Sequence, residues 1–186
     1  MSALTVYPDN DPTNGNTYLD FSDIQAQLEP LNIRFERWSA GFELTDDADQ
    51  DVILQAYRQP IDRLQEEYGF QSVDVIGISP NHPEKEALRQ KFLSEHIHDD
   101  FEVRFFIEGR GLFSLHVDDK VYCILCEQGD LISVPAGAKH WFDMGQNPNF
   151  RCIRLFTTPD GWVANFTGSN ISEQFPSFDD YIQQLD

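Results

Sequence analysis

The stretch EHIHDDFEVRFF, residues 95–106, decides the fold, and VPAGAKHWFDMG, residues 134–145, completes its pattern. The first stretch contains His96, His98 and Glu102 in the spacing H-x-H-x3-E, and the second contains His140. The chain has only five histidines, so three of them in one pattern is more than chance clustering. Together the four side chains can bind one divalent metal ion.

Residues 96–107 are rich in Phe, Val and Ile, which predicts a β-strand. Side chains alternate between the two faces of a strand, so the even-numbered His96, His98 and Glu102 are predicted to project from one face. Neutral imidazole and carboxylate oxygen suit a first-row transition ion such as Fe, Ni, Mn or Zn. With His140 as the fourth ligand, an octahedral ion would keep two positions for water or substrate.

The other two histidines are interpreted as structural. His82 precedes Pro83 at a predicted helix start. His116 has the opposite parity to the apolar residues Phe113 and Leu115, so we expect it to face outward from an amphipathic strand.

Composition sets the broad class of the protein. A chain of 186 residues, 40% hydrophobic and 13% aromatic, is expected to form one globular domain. Its formal net charge of -19 argues against binding to nucleic acid or to anionic membranes. The sequence contains no export signal and no apolar run of about 20 residues, so we expect a cytoplasmic protein that does not interact with membranes.

The three cysteines fit the same compartment. Cys123 and Cys126 form a C-x-x-C pattern inside a predicted strand, where a separation of three places the thiols on opposite faces. They are therefore poor partners for a shared metal ion or a disulfide. We interpret them, with Cys152, as reduced and buried small residues.

The N-terminal part of the chain is predicted to contain helices. Ser22 and Gln25 have the spacing of a capping box, and apolar residues between 52 and 68 have helical spacing with an interruption near Pro60. Pro83 is predicted to open a further helix, after a strand over residues 72–78.

From His96 onward the pattern is one of short strands separated by turns. A turn is predicted at Gly109–Gly111, and a short helix over one barrel end in the last dozen residues. The predicted strands are 96–107, 112–117, 120–126, 131–134, 140–143 and 151–157. Such a series favours a mainly β sandwich or a closed barrel.

The ligand spacing resembles the two cupin motifs. The first motif runs from His96 to Gly109 and the second from Gly129 to His140. Met144 stands where the second motif usually has Asn, and the usual Gly before the first histidine is missing, but the ligands are intact. The resemblance implies a cupin double-stranded β-helix, a jelly-roll barrel. We expect one domain with N-terminal strands and helices (1–94), a metal-binding core (95–168) and a C-terminal tail (169–186).

Longer sequence segments give a more specific match. Over nearly its whole length the chain resembles the acireductone dioxygenase family of the methionine salvage pathway. The matching strings are RFERW (34–38), KEALRQKFLSEH (85–96), EVRFFIEGRGLF (102–113), DLISVPAG (130–137), HWFDMG (140–145), PNF (148–150) and GWVANFTG (161–168).

This resemblance implies a reaction. The substrate is 1,2-dihydroxy-3-keto-5-(methylthio)pentene, which O2 cleaves to formate and 4-methylthio-2-oxobutanoate when the metal is Fe(II). With Ni(II) the expected products are 3-methylthiopropanoate, formate and CO. One metal ion per chain is implied, held by the three histidines and the glutamate.

The resemblance also implies roles for neighbours of the ligands. Glu95 is expected to assist metal loading, Phe101 to relay metal-dependent shifts, and Arg104 to form and hold the substrate dianion. On physical grounds, a permanent cation beside the metal favours ionisation of a bound enediol. The structural alternative is that Arg104 pairs only with Glu102 or Asp100.

Further residues are candidates for substrate binding. Arg154 is a second candidate cation. Aromatic candidates for the wall around the methylthio tail are Phe92, Phe106, Phe142 and Trp162. Each aromatic taken alone is better interpreted as a core residue, and only the resemblance favours Phe92, Phe142 and Trp162 as pocket walls.

Two rival functions share the four ligands. One is another metal-dependent cupin enzyme, such as an isomerase or a different dioxygenase. The other is a non-catalytic binding module in which the metal only stabilises the barrel. For the enzyme we expect a monomer whose partners are the small acireductone and O2.

Overall fold

The computed structural model describes residues 1–45 and 48–186. Within these ranges the chain forms eleven strands: β1 (Ala3–Pro8), β2 (Asn16–Tyr18), β3 (Phe35–Arg37), β4 (Ser72–Ile78), β5 (His96–Ile97), β6 (Glu102–Val117), β7 (Lys120–Glu127), β8 (Asp130–Val134), β9 (Lys139–Asp143), β10 (Phe150–Phe156) and β11 (Asn165–Phe166). The α-helices of the same ranges are α1 (Phe21–Leu28), α2 (Gln50–Ala56), α3 (Arg58–Tyr68), α4 (Lys85–Leu93) and α5 (Phe178–Leu185). None of the helices in the described part of the chain is both long and apolar enough to cross a bilayer.

The long strand β6 belongs to two antiparallel sheets. Its first half pairs with β8 and β10, and these pair in turn with β3 and β4. Its second half pairs with β7 and β9, in a sheet with the order β11-β5-β9-β6-β7-β1-β2. We call these the first and the second sheet.

The predicted turn at Gly109–Gly111 is wrong, because β6 passes through these residues as one bent strand. Gly109 has φ 68°, and a Cβ atom there would lie 1.8 Å from the carbonyl oxygen of Asn149. A Cβ on Gly111 would lie 2.3 Å from the Phe142 ring. The glycines therefore permit a bend and close packing as the strand passes from one sheet to the other.

The predicted strand over 96–107 is also interrupted. β5 ends at Ile97 and β6 begins at Glu102. Between them the Asp100 carboxylate accepts hydrogen bonds from the backbone N–H of Phe101 and of Thr158, both at 2.8 Å. A carboxylate that binds nearby backbone N–H groups competes with strand pairing, so the segment turns instead of continuing.

The N-terminal helices are present with shifted boundaries. Asp20 caps α1 by accepting from the Ser22 N–H, so the predicted capping position at Ser22 is two residues late. The break between α2 and α3 lies at Tyr57, before Pro60. Pro60 is the third residue of α3, where its missing N–H has no intrahelical partner to lose. The helix predicted to open at Pro83 begins at Lys85.

In the described part of the chain, three apolar clusters pack the sheets and helices together. The interior cluster joins residues of both sheets, such as Phe106 and Ile124. Helices α2 and α3 cover the outer face of the first sheet, where Tyr57 packs on Phe105. The C-terminal helix α5 covers the outer face of the second sheet, where Tyr181 lies, and not a barrel end.

The cysteines lie as predicted from their spacing. Cys123 is in the outer cluster under α5, and Cys126 is in the interior cluster, on the opposite face of β7. Both, like Cys152, are buried and free of disulfide bonds.

Candidate metal centre

Three histidine side chains converge inside the barrel. His96 and His140 are directly paired across β5 and β9, and their ring centroids are 4.4 Å apart. The ring of His98 lies 5.1 Å from that of His96 and 5.2 Å from that of His140. One ligand atom from each of the three lies within 4.8 Å of the others. Since the strand is interrupted after Ile97, this convergence comes from the turn and from strand pairing, and not from simple alternation.

Backbone carbonyls orient all three imidazoles. A carbonyl oxygen only accepts, so each Nδ1 carries the proton and donates, which leaves the Nε2 lone pair free to bind a metal. The acceptors are the carbonyls of Ser94 (2.8 Å from His96), Val163 (2.9 Å from His98) and Ala138 (2.8 Å from His140).

Glu102 supplies the negative charge of the site. Its side chain is 1% exposed, and Oε1 accepts from Arg104 Nε at 2.9 Å. The other oxygen, Oε2, lies 3.4 Å from His98 Nε2 and 3.8 Å from His140 Nε2. Within the described residues, Oε2 and His140 Nε2 have no hydrogen-bond partner. Buried acceptors that face one another in this way fit a bound cation, so the residues present suit a metal ion.

Electrostatics keeps the ligands in their metal-binding protonation states. Burial opposes the charge of Glu102, but the combined fields of Arg104, the two neighbouring histidines and Arg154 outweigh it and lower the pKa to about 2. Burial, aided by the neighbouring His96, lowers the pKa of His140 to about 3. Burial also lowers the pKa of His96. A charged Glu102 carboxylate and neutral His96 and His140 imidazoles are therefore present at pH 7.

Arg104 lies beside the ligands and is almost fully buried, with 2% of its side chain exposed. Its guanidinium carbon lies over the rings of Phe113, Phe142 and Phe92, at 4.8, 5.0 and 5.8 Å from their centroids. The guanidinium is paired with Glu102, which agrees with the structural alternative, but its Nη1 has no partner among the described residues. The Arg104 side chain thus makes a structural contact with Glu102, and its Nη1 can donate a hydrogen bond to a ligand.

Arg154 is engaged elsewhere. It stands opposite Arg104 across β10 and β6 and opposite Asp74 across β10 and β4. Its Nε and Nη2 donate to the two oxygens of Asp74 at 2.9 and 2.7 Å. Its charge is therefore partly offset by Asp74 within the sheet.

The aromatic candidates divide into two groups. Phe92 and Phe106 both lie beside Phe142, with ring centroids 6.2 and 6.3 Å from it, so these three form one cluster near Arg104. Trp162 is 52% exposed and lies on the surface loop that precedes Val163. The structure does not place Trp162 within this cluster.

Glu95 and Phe101 both point away from the imidazoles. Glu95 is 2% exposed, and its two oxygens bind Thr167 and His116. Phe101 precedes β6 and stacks on Phe70. The two ring centroids are 6.1 Å apart, and the ring planes are nearly parallel. His116, predicted to face outward, is half-buried.

Sequence reasoning missed the groups that orient the ligands. Ser94 and Ala138 each lie two residues before a histidine, and the turn signal before Ala138 gave a partial clue. Asp100 is a residue type that is common in turns, but it lies inside the strand predicted over 96–107. Val163 acts through its backbone from 65 residues away, so no side-chain pattern could identify it.

Comparisons with known proteins give the family. The model of the ARD/ARD' family matches residues 3–164. An acireductone dioxygenase of Methylococcus capsulatus is 52% identical over 183 residues, 98% of each chain. One of Aquifex aeolicus is 53% identical over 185 residues, 98% of this chain and 99% of that one.

A solved structure agrees with these sequence matches. Acireductone dioxygenase from Bacillus anthracis, with a cadmium ion in its active centre, matches with a TM-score of 0.77 and 27% identity, over 89% of this chain and 98% of that chain. The predicted cupin fold is confirmed. The chain belongs to the ARD/ARD' family, the acireductone dioxygenases.

Proposed function

We propose that this chain is a metal-dependent dioxygenase that cleaves 1,2-dihydroxy-3-keto-5-(methylthio)pentene with O2. With Fe(II) the products would be formate and 4-methylthio-2-oxobutanoate, and with Ni(II) they would be 3-methylthiopropanoate, formate and CO. The observation that carries the proposal is the convergence of three carbonyl-oriented imidazoles in a chain about half identical, over its whole length, to acireductone dioxygenases.

The ligands in this proposal are His96, His98, His140 and Glu102. When bound, Fe(II) or Ni(II) would supply Lewis-acid polarisation of the enediol oxygens and a fixed template for the reaction. The Nδ1 hydrogen bonds to backbone carbonyls support this role, because they fix the rings before any metal arrives.

Arg104 would bind the substrate in its dianionic form. The divalent ion, the Glu102 carboxylate and the guanidinium together give the site a net charge of +2, which a dianion neutralises. The unpaired Nη1 can donate a hydrogen bond to a substrate oxygen. The surrounding rings of Phe92, Phe113 and Phe142 exclude water and strengthen that interaction.

The aromatic cluster would also receive the methylthio tail. Phe92 and Phe142 offer apolar surface beside Arg104, with Phe106 behind them as core. Trp162 would flank the entrance to the site from its surface loop. Arg154 would not contact the substrate, but its positive field would act on Glu102 and the bound anion.

We propose one domain with the segments 1–94, 95–168 and 169–186, acting as a monomer in the cytoplasm. Three buried, reduced cysteines suit that compartment. We propose no nucleic-acid or membrane partner, given the net charge of -19.

Product analysis tests the function. The protein is stripped of metal and reconstituted separately with Fe(II) and with Ni(II), then supplied with acireductone and air. We expect 4-methylthio-2-oxobutanoate in the first case and 3-methylthiopropanoate with CO in the second. The matched control pair is His140→Ala, which removes a ligand, and His82→Ala, which removes a half-buried histidine outside the site. Failure of both reconstituted forms to consume O2 with this substrate would overturn the proposal.

A further inference from the structure

Glu95 and His116 form a pair that the proposed reaction does not use. Residues opposite one another in an antiparallel sheet share a face, and His140 is paired with Leu115, whose side chain is in the interior cluster. His116 is the next residue along β6, so it lies on the outer face of the second sheet. Glu95 precedes His96 and shares that outer face. The pair therefore lies on the opposite face of the second sheet from the metal ligands.

Hydrogen bonds make the carboxylate of Glu95 a link between strands. His116 Nδ1, on β6, donates to Glu95 Oε2 at 3.0 Å. Thr167, just after β11, donates from Oγ1 to Glu95 Oε1 at 2.7 Å and from its N–H to the Glu95 carbonyl at 3.1 Å. Asp9 Oδ2 lies 3.4 Å from the other ring nitrogen of His116.

This link crosses β9, the strand that carries His140. Strand β5 lies on one side of β9 and β6 lies on the other, and His116 is paired with Lys139 in the ladder. The contact from His116 to Glu95 therefore spans three strands and fixes β5 relative to β9. The distance between His96 and His140 depends on the position of β5 relative to β9, since the two histidines are directly paired across these strands.

Strand β5 needs such support because it is short. It contains two residues, and its pairing with β9 is limited to His96 with His140. Its outer neighbour β11 is a two-residue edge strand whose residues are exposed. Few backbone hydrogen bonds hold His96 in place, so side-chain contacts at Glu95 carry a large share of its positioning.

We propose that His116 is a positioning residue for the metal site, which acts through Glu95 to hold His96 in register with His140. Thr167 completes the same link from the other side. The inference rests on the metal centre of the proposed function but not on its chemistry. Without the link, β5 shifts more freely against β9, and a metal ion held by both histidines dissociates faster.

The test measures metal release from the holoprotein loaded with Ni(II). A chromogenic chelator in excess captures the released ion at 25 °C, a temperature at which circular dichroism shows each variant folded. His116→Leu and His116→Asn are a matched pair, because the two side chains have nearly the same shape and the Asn amide nitrogen takes about the place of Nδ1. We expect release about tenfold faster in His116→Leu, at the low end of the effect of losing a metal-supporting partner, and close to wild type in His116→Asn.

Thr167 gives an independent arm with little risk to folding, because this residue is exposed. Thr167→Val removes the hydroxyl donor and Thr167→Ser keeps it. We expect faster release in Thr167→Val alone. If His116 serves only general stability, His116→Leu will unfold at a lower temperature than wild type but will release Ni(II) from the folded protein at the wild-type rate. That result would overturn the inference.

The outcomes separate this inference from the proposed function. If wild-type protein binds Ni(II) and all four variants release it at the wild-type rate, the positioning role is wrong and the enzyme proposal stands. If His116→Asn releases metal as fast as His116→Leu, the hydrogen bond to Glu95 is not the cause, and the inference is again wrong. If wild-type protein does not bind Ni(II), both proposals fail.

Discussion

At the scale of single residues, Arg104 connects the ligand set with the aromatic cluster. Its Nε binds Glu102, while its Nη1 has no partner among the described residues. A buried donor without a partner costs about 1–3 kcal/mol, which is a reason to expect that a ligand pairs with it. A substrate oxygen carrying negative charge would satisfy it.

Replacing Arg104 separates metal binding from turnover. In Arg104→Ala we expect Ni(II) retention close to wild type, because the four ligands and the carbonyl partners of the three histidines remain. Turnover should fall about 100-fold or more, the usual cost of losing a donor aimed at developing charge. The measurements are metal content after dialysis and loss of acireductone absorbance in air.

Arg104→Lys is the matched control for this prediction. It keeps the positive charge and loses the planar fork, so we expect its turnover to lie between those of wild type and Arg104→Ala. If Arg104→Ala lost its metal and turned over normally per bound ion, the role assigned to Arg104 would be wrong.

The ligand residues could be found from sequence because their chemistry is carried by side chains at a recognisable spacing. Three imidazoles and a carboxylate are rare, and the pattern places His96, His98 and Glu102 within seven residues. The groups that orient them are mostly backbone carbonyls, which every residue has. The Val163 carbonyl therefore has no signature in the sequence, although it sets the tautomer of His98.

At the scale of elements, β6 shows where local patterns mislead. Two glycines flanked by apolar strands favour a turn. The residues around them do not show whether the chain reverses its direction there or only bends. What decides the matter is the backbone of Asn149 and the ring of Phe142, which leave no room for a Cβ atom at Gly109 and Gly111. Those contacts join residues more than 30 positions apart, so they appear only in the folded chain.

Gly109→Ala tests this reason for the bend. The new Cβ would lie 1.8 Å from the Asn149 carbonyl oxygen, at φ 68°. We expect the free energy of unfolding to fall by about 3 kcal/mol or more, since backbone strain and steric overlap add together. Urea unfolding of the metal-free protein measures the change.

Gly69→Ala is the control for the strain alone. Gly69 has a similar φ of 70°, but nothing lies within 4 Å of the position of its Cβ atom. We expect a loss of about 1–2 kcal/mol, the cost of the left-handed conformation by itself. Equal losses in the two variants would mean that the contact with Asn149 is not what requires glycine.

At the scale of the whole molecule, the metal centre joins segments that are distant in the chain. Its ligands come from β5, the following turn, β6 and β9, and the loop before β11 contributes the Val163 carbonyl. Among the residues that the structure describes, the buried acceptors at Glu102 and His140 face each other without hydrogen-bond partners. Metal binding should therefore stabilise the fold as a whole, because unfolding disperses the ligand set.

Thermal unfolding at different Ni(II) concentrations tests this coupling. A ligand at 100 times its Kd stabilises the native state by about 2.7 kcal/mol. For a chain of this size each kcal/mol raises Tm by about 2–4 °C, so we expect a rise of about 5–10 °C over the metal-free protein. In His140→Ala the rise should be lost at the same Ni(II) concentration, while His82→Ala should keep it, since the His82 imidazole lies outside the metal site and accepts from the Glu84 N–H. A full rise of Tm in His140→Ala would mean that the ion stabilises the protein from another site, and His140 would have to be removed from the ligand set.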